Sequence, residues 1–308
     1  MKSFVFQRIT QAVVIVCMIT ITVFIILRLS AGDPARIKAP VFARADIIEQ
    51  YRRDFGTDRP LIEQLSSFVT NAVQGDLGDS FRYQAPVTEL IWNAMPNTLV
   101  LASTALLFSV TIAVVLGSLA AQRPQSIWAV LASTVAVFGQ SAPVFWTGSI
   151  LVLIFAVGLG WFPAGGGDGF SSVVLPAFAV MLSILPTQLR ILRAAMERAL
   201  QDEYIRTARA FGISNFRIVF VYALKNAFLP LLTVIGLDIG YLLGGVIVAE
   251  VVFAYPGIGE LALIALNSRD FPLIQGITIV SASLFVAVNL GIDLLYTALD
   301  PRIRLEHS

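Results

Sequence analysis

The sequence predicts an all-α integral membrane protein with six transmembrane helices and both termini in the cytoplasm. Three observations carry that expectation. The chain is 57% hydrophobic and only 13% charged, with a mean hydropathy of +0.81, too little charge to cover a water-soluble surface. Uncharged runs recur that can cross a hydrocarbon core of about 30 Å at roughly 1.5 Å per helical residue. The short connection 203–230 carries Arg206, Arg209, Arg217 and Lys225, with Arg190, Arg193 and Arg198 just upstream. Such an excess of Lys and Arg marks a cytoplasmic segment.

Composition also excludes some functions. A net charge of +1 gives no reason to expect nucleic acid as a partner. The single cysteine, Cys17, lies in an apolar run, cannot form an internal disulfide and reads as a small core residue. His307, the only histidine, is one residue from the C-terminus and leaves no basis for a histidine metal site or a catalytic triad.

The first span is residues 9–27, which carry no formal charge and follow a short basic stretch with Lys2 and Arg8. A secretory signal is the rival reading. Its apolar region would be shorter and would end at a small-residue cleavage site, so the length favours an uncleaved anchor. Arg28 can snorkel at the far interface. Residues 30–96 are polar, with seven Lys/Arg and nine Asp/Glu, and read as an extracytoplasmic region of short helices broken by the turn-rich GDLGDSF at 75–81. Loops this long translocate largely regardless of their charge.

Residues 98–122 form the second span, and Arg123-Pro124 makes a tight turn. The run 124–167 holds 44 residues without Asp, Glu, Lys or Arg. Length allows two crossings, but two would put the arginine-rich connection outside, so one crossing is expected. Pro143, Pro163 and the glycines at 158–169 suggest that it ends in an outer loop, with Trp161 and Phe162 at the interface. The fourth span is 170–189, with Pro176 and Pro186 tolerated inside the bundle. The fifth is 227–249, interrupted by Asp238, and 250–270 is an outer loop holding YPGIGE. Residues 271–292 form the sixth, followed by Asp293 and a tail with Arg302 and Arg304. No repeat of 20–50 residues is evident.

The basic elbow is the most informative stretch. A helix is expected from about residue 189 through Ala210, closed by Gly212 in the left-handed conformation. Ser214 would cap a second helix running to Asn226, with Pro230 where the chain re-enters the bilayer. Alanines at 208 and 210 give the turn a small profile that fits a groove. On these residues alone, a plain basic loop that fixes topology explains the segment equally well.

Glu203, Ala208 and Gly212, with Leu229-Pro230 downstream, resemble the coupling motif of ATP-binding cassette (ABC) importer permeases: Glu-Ala-Ala, then Gly, then Leu-Pro. EYIRTARAFG and NAFLP are similar to the dipeptide/oligopeptide/nickel permease family. So are AGDPA (31–35), RPLIEQ (59–64), GDLGDSF, PNTLVL (96–101), GGVIVAEVVFAYPGIG (244–259) and LDPRIR (299–304), so the resemblance covers nearly the whole chain. The short inner N-terminus and GDLGDSF look like the B-type permease rather than its C-type partner. The sequence departs from the family at Phe211, where Lys is usual, and at Tyr222, where His is usual.

The resemblance implies a type I ABC importer permease fold in which the elbow docks into an ATPase cleft. It places the coupling contact at Glu203, Tyr204, Thr207, Ala208, Ala210, Phe211 and Gly212. The implied division is 1–29 for the cytoplasmic N-terminus and first helix, 30–96 for the extracytoplasmic region, 97–296 for a five-helix core with coupling segment 190–228, and 297–308 for a cytoplasmic tail. The implied partners are a homologous C-type permease, two ABC ATPase subunits or domains, an extracytoplasmic peptide-binding protein and membrane lipid. No cofactor is expected on this chain, and ATP with Mg²⁺ belongs to the partner subunits. The residues agree, since no G-x-x-x-x-G-K-[ST] occurs in the sequence. The glycines at 165, 166, 167 and 169 lack the Lys-Ser/Thr and read as a flexible outer loop. No catalytic or metal-ligating constellation is expected.

Acids at bilayer depth face a partner or a wet cavity. Gly236, Gly240 and Gly244 form a close-approach stripe on the fifth span, and Asp238 lies roughly opposite its middle. Two readings of Asp238 stand: lining the translocation pathway, or pairing inside the bundle. The family tends to have an uncharged polar residue there. Glu250 and Asp293 match acids of the family and are gate or pathway candidates, with interface anchoring as the alternative. Pro256 and Gly257 read as a tight outer turn, which the resemblance places in the periplasmic gate region. The expected cargo is dipeptides or oligopeptides. Nickel chelates and glutathione-like compounds are the alternatives within the family. A self-sufficient ion-coupled transporter, with Asp238 as its proton or cation site, is the alternative from another class. A membrane enzyme finds no support in the residues.

Overall fold

Backbone amides in lipid have no water to bond, and the described chain is accordingly almost all helix. The structure, a computed structural model, describes residues 2–29, 35–36, 39, 42–54, 56, 58–123, 125–166 and 169–299, without the side chains of residues 2–6, 29, 54, 243, 245 and 293–299. Residues 31–34 of AGDPA, Gly167, most of LDPRIR with Arg302 and Arg304, and His307 lie outside the described residues. The chain forms two compact units, one of Met1–Pro96 with Gly257–Ser308, the other of Asn97–Pro256.

The first unit begins with α1, Lys2–Leu29, which packs along α13, Phe271–Leu299. Exposed Ile9, Val13, Val14, Met18 and Ile26 give α1 an apolar surface suited to lipid. Cys17, expected in a core, is exposed there. The short helices expected in the extracytoplasmic region are α2, Ala45–Asp54, and α3, Leu61–Val73. The rings of Phe24 on α1 and Phe68 on α3 stack at 6.2 Å. GDLGDSF follows, and α4, Val87–Gln122, starts after the short turn 82–86. Leu77 of that loop joins Val87, Ile91, Leu273 and Ile277 in a core completed by Ala265 of α12, Ile258–Asn267.

One buried carboxylate holds this unit's turns together. Oδ2 of Asp270 accepts from the Ser80 hydroxyl at 2.6 Å and the Arg82 N–H at 3.0 Å. Its Oδ1 accepts from the Leu273 N–H at 3.3 Å, capping the first turn of α13. The outer loop expected at 250–270 is therefore structured: it contains α12 and ends on this cap.

The second unit is built around α7, Phe170–Ala199. In its apolar span 61% of residues are buried within the protein, against 6% for α1, so α7 is the central helix. The remainder of α4 packs beside it, followed by α5, Ile127–Ser141, and α6, Val144–Leu151, which continues as a π-helical stretch Val152–Gly158. Ala142 is extended at φ −100° and ψ 121°, as a residue before proline prefers, and Pro143 starts the next helix, so the pair is bent by 112°. Among the described residues five helices are long and apolar enough to span a membrane, and this bent pair makes the sixth when taken as one span.

Two expectations are corrected here. The helix expected over 189–210 breaks at 200–202, where Gln201 N–H bonds to Arg198 O and Asp202 turns extended before α8, Glu203–Ala210. The break lets Ile205 and Ala208 turn inward, which a straight continuation of α7 would not. The second helix does not stop near Asn226. It runs from α9, Asn215–Arg217, through a π-helical turn Ile218–Ala223 into α10, Leu224–Gly245, with Pro230 inside the helix. The fifth span accordingly lies at Asn215–Leu242 rather than 227–249, and a separate α11, Ile247–Val252, follows.

Replacing Asp270 with Ala removes a helix cap and leaves the Ser80 and Arg82 donors without that acceptor. We expect a loss of about 2–4 kcal/mol of stability, read as a lower thermal midpoint of the purified chain. An unchanged midpoint would contradict the role given to this carboxylate.

Candidate functional site

The elbow is an amphipathic helix pinned at one face. Ile205 is 0% exposed and Ala208 is buried beside it, packed with Leu192, Met196, Ile218 and Ala227. Burial of an isoleucine contributes about 1.5–3 kcal/mol, enough to hold a helix too short to form alone. The opposite face is open: Glu203, Arg206, Thr207, Arg209 and Ala210 are exposed, and Tyr204 is partly so. Ala208, expected on the docking surface, points inward and serves as an anchor. Phe211, at 81% exposed, stands at the helix end, with Phe216 also in the open.

The turn is closed as its sequence predicts. Gly212 has φ +74°, its N–H bonds to Arg209 O at 3.0 Å, and the Ile213 N–H bonds to Ala208 O at 3.2 Å. These two bonds form a Schellman motif, with Ile213 packed against the cluster that holds Ala208. Ser214 occupies the cap position of the next helix through its backbone, without a side-chain bond. The two segments that carry the coupling resemblance meet where Asn226 Nδ2 donates to the Tyr204 hydroxyl at 2.9 Å. Asn215 Nδ2 donates to Gln122 Oε1 at 2.8 Å, tying the turn to the end of α4. Beside it lies a cavity of about 990 Å³ bordered by Arg123, Trp128, Glu197 and Arg209.

Three spans of this unit share a buried polar chain. The Ser109 hydroxyl on α4 donates to Gln188 Oε1 on α7, and Gln188 Nε2 donates to Asp238 Oδ2 on α10 at 2.7 Å. Asp238 is 9% exposed, so this acid has a hydrogen-bond partner inside the bundle. Gly236 and Gly240 are buried, whereas Gly244 is exposed with open space around it. Gln188 and Ser109 were not singled out from the sequence. A glutamine inside an apolar span, between Pro186 and Leu189, was the available signal.

A second buried acid lies at the other end of the unit. Thr98 Oγ1 donates to Glu250 Oε1 at 2.6 Å, and Asn97 Nδ2 donates to Pro256 O at 2.8 Å. The PNTLVL and EVVFAYPG segments therefore meet through both side chains. Burial, and after it the Glu250 carboxylate, push the Tyr255 hydroxyl above its usual pKa. The glycine run expected as a flexible loop is partly fixed here. A Cβ on Gly165 would lie 2.3 Å from Phe253 O, and the Gly166 N–H bonds to that oxygen at 2.8 Å. Gly257 precedes α12 in the other unit, and Asp293 lies on α13 with its side chain outside the described residues.

A multi-span bundle with a basic elbow between two of its spans suits a membrane transport subunit. Residues 113–305 match the family described as binding-protein-dependent transport system inner membrane component, and residues 1–102 match the N-terminal family of the same components. The chain is 36% identical over 304 residues to the glutathione transport system permease protein GsiC of Escherichia coli (strain K12), covering 99% of each chain. It has the same identity and coverage with GsiC of Shigella flexneri serotype 5b (strain 8401). A protein of Brucella abortus (strain 2308), named provisionally as a peptide transport system permease, is 34% identical over 314 residues, covering 99% of this chain and all of the relative. The chain belongs to the inner-membrane components of binding-protein-dependent transport systems and has the type I ABC importer permease fold. It is a multi-pass protein of the inner membrane and a transport subunit rather than a catalyst.

Ile205→Ala should cost about 2–4 kcal/mol and free the elbow. We expect faster tryptic cleavage after Arg206 and Arg209 in the purified variant, with equal cleavage rates counting against a pinned helix.

Proposed function

We propose that this chain is the B-type permease of an ATP-driven importer of dipeptides and oligopeptides, forming half of the translocation pathway. The observation that carries the reading is the elbow, whose inner face is buried while Glu203, Thr207, Ala210, Phe211 and Gly212 remain exposed at a rigid turn. Two ABC ATPase subunits or domains hydrolyse ATP with Mg²⁺. Their closure pushes α8, and α8 moves α7 and α10 through the cluster beneath it, shifting the spans between two packings. A homologous C-type permease completes the pathway, and an extracytoplasmic binding protein delivers the peptide. This chain binds no nucleotide, since its sequence has no phosphate-cradling loop followed by Lys-Ser/Thr.

The similarity to GsiC, named for glutathione transport, favours a second cargo within the same chemistry, because glutathione is itself a small peptide. Uptake by membranes containing the whole importer, measured with a dipeptide, an oligopeptide and glutathione, separates the two. Gradient-driven uptake by this chain alone would overturn the ATP-driven reading.

Phe211→Asp places a charge at an exposed position without disturbing the packed face. We expect co-purification with the ATPase to fall at least about tenfold, as for loss of a central interface residue. Gly212→Asp should do the same and in addition strain the turn. Normal ATPase recovery with both variants would sink the docking assignment.

Beside its bundle partner Gln188, Asp238 is proposed to act on the cargo through its charge. Asp238→Asn keeps an oxygen acceptor for Gln188 and removes only the charge. We expect normal assembly with altered uptake or cargo range. Wild-type uptake across a peptide panel would leave this acid a purely structural role.

A further inference from the structure

The first unit contains a cavity of about 290 Å³ that the coupling mechanism does not use. Three arginines line it, Arg28, Arg53 and Arg59, together with Ser67, Asn71 and Gln275. Among the described residues no carboxylate contributes to the lining. Arg28 ends α1 and sits over the Phe24 ring at 5.4 Å, which fixes its direction, while Phe24 stacks on Phe68 beneath the cavity. Arg59 is held through its carbonyl, which accepts from Gln64 Nε2 at 2.8 Å. Among the described residues neither Arg53 nor Arg59 has an ion-pair partner. Gln275 is only 8% exposed, lines the cavity, and makes no side-chain hydrogen bond among the described residues.

The Arg53 and Arg59 guanidinium groups, brought to one small space beside that of Arg28, repel one another unless an anion joins them. A buried amide beside them also requires a partner. The depth of the cavity is informative too. Arg28 closes the apolar span Gln7–Arg28, and Gln275 lies in the first turns of the span Phe271–Ile292. Both therefore belong to the outer end of a membrane helix, at the level of phospholipid headgroups.

We propose that this cavity is a phosphate-binding site on the extracytoplasmic side, with the three arginines as charge-assisted donors and Gln275 and Asn71 completing the shell. Arginine suits the task because its planar fork bonds two phosphate oxygens at once. The bound group would join α1, α2, α3 and α13 of this unit. Its source is either the headgroup of an anionic phospholipid or soluble phosphate, and the same donors serve both. The inference is independent of the cargo and of ATPase docking.

The test uses the purified full chain, in detergent with added inorganic phosphate and in nanodiscs of phosphatidylcholine with or without phosphatidylglycerol. The readouts are the thermal midpoint and retention of the lipid in native mass spectrometry. A rise in midpoint with phosphatidylglycerol, not matched by inorganic phosphate, supports the site with a lipid source. A rise with inorganic phosphate supports it with a soluble source. In either case the Arg53→Gln/Arg59→Gln variant should lose at least about tenfold in affinity. Both residues are exposed, so the variant should keep the wild-type midpoint in phosphatidylcholine alone. Arg59→Lys, which retains the charge but not the fork, should bind more weakly than wild type and more tightly than the double variant. No response to either phosphate source, or an equal response in the double variant, would overturn the proposal.

Discussion

Ile205 is the residue on which the working face of this protein depends. It is wholly buried beneath an eight-residue helix whose other side meets water. A helix that short has no stability of its own, so its position is set by the surface it covers. That surface consists of Leu192 and Met196 from α7, and Ile218 and Ala227 from the π-turn and α10. The elbow is therefore an extension of two spans rather than a loop between them. A force applied to its outer face reaches both through packed side chains, which shift between discrete arrangements rather than deform smoothly.

The polar chain from Ser109 through Gln188 to Asp238 gives those spans a second connection at greater depth. Polar groups at bilayer depth are tolerated when they satisfy one another. Here the partners come from α4, α7 and α10, so the three helices share one register. Glu250 does the same for the start of α4 and the segment around Tyr255. Both acids are held by donors on α4 or α7. Gly165 and Gly166 against the Phe253 carbonyl complete the outer end, where a side chain at residue 165 has no room.

Much of this was legible in the sequence because its causes are local. Apolar runs of sufficient length marked the spans, and Gly212 announced the left-handed turn that the structure shows. What escaped was set by tertiary contacts. The break at 200–202 contains no Gly or Pro, although Asp202 followed by Glu203 was a helix-start signal that the longer helical pattern masked. Pro230 was read as a boundary, yet the chain stays helical through it because the surrounding bundle accommodates the lost bond. Helical spacing placed Asp238 opposite the glycine stripe, but only packing supplied Gln188 on that side. The inward turn of Ala208 follows from the same burial that fixes Ile205.

The central claim is that one face of α8 and its turn form the contact with the ATPase. Cysteine cross-linking along residues 203–212 tests it most directly, in the assembled importer and in a Cys17→Ser background that removes the exposed native thiol. The account predicts cross-links to the ATPase from cysteines at Glu203, Thr207, Ala210 and Phe211, and none from Ile205 or Ala208. Cross-links from the buried pair, or none from the exposed set, would contradict it.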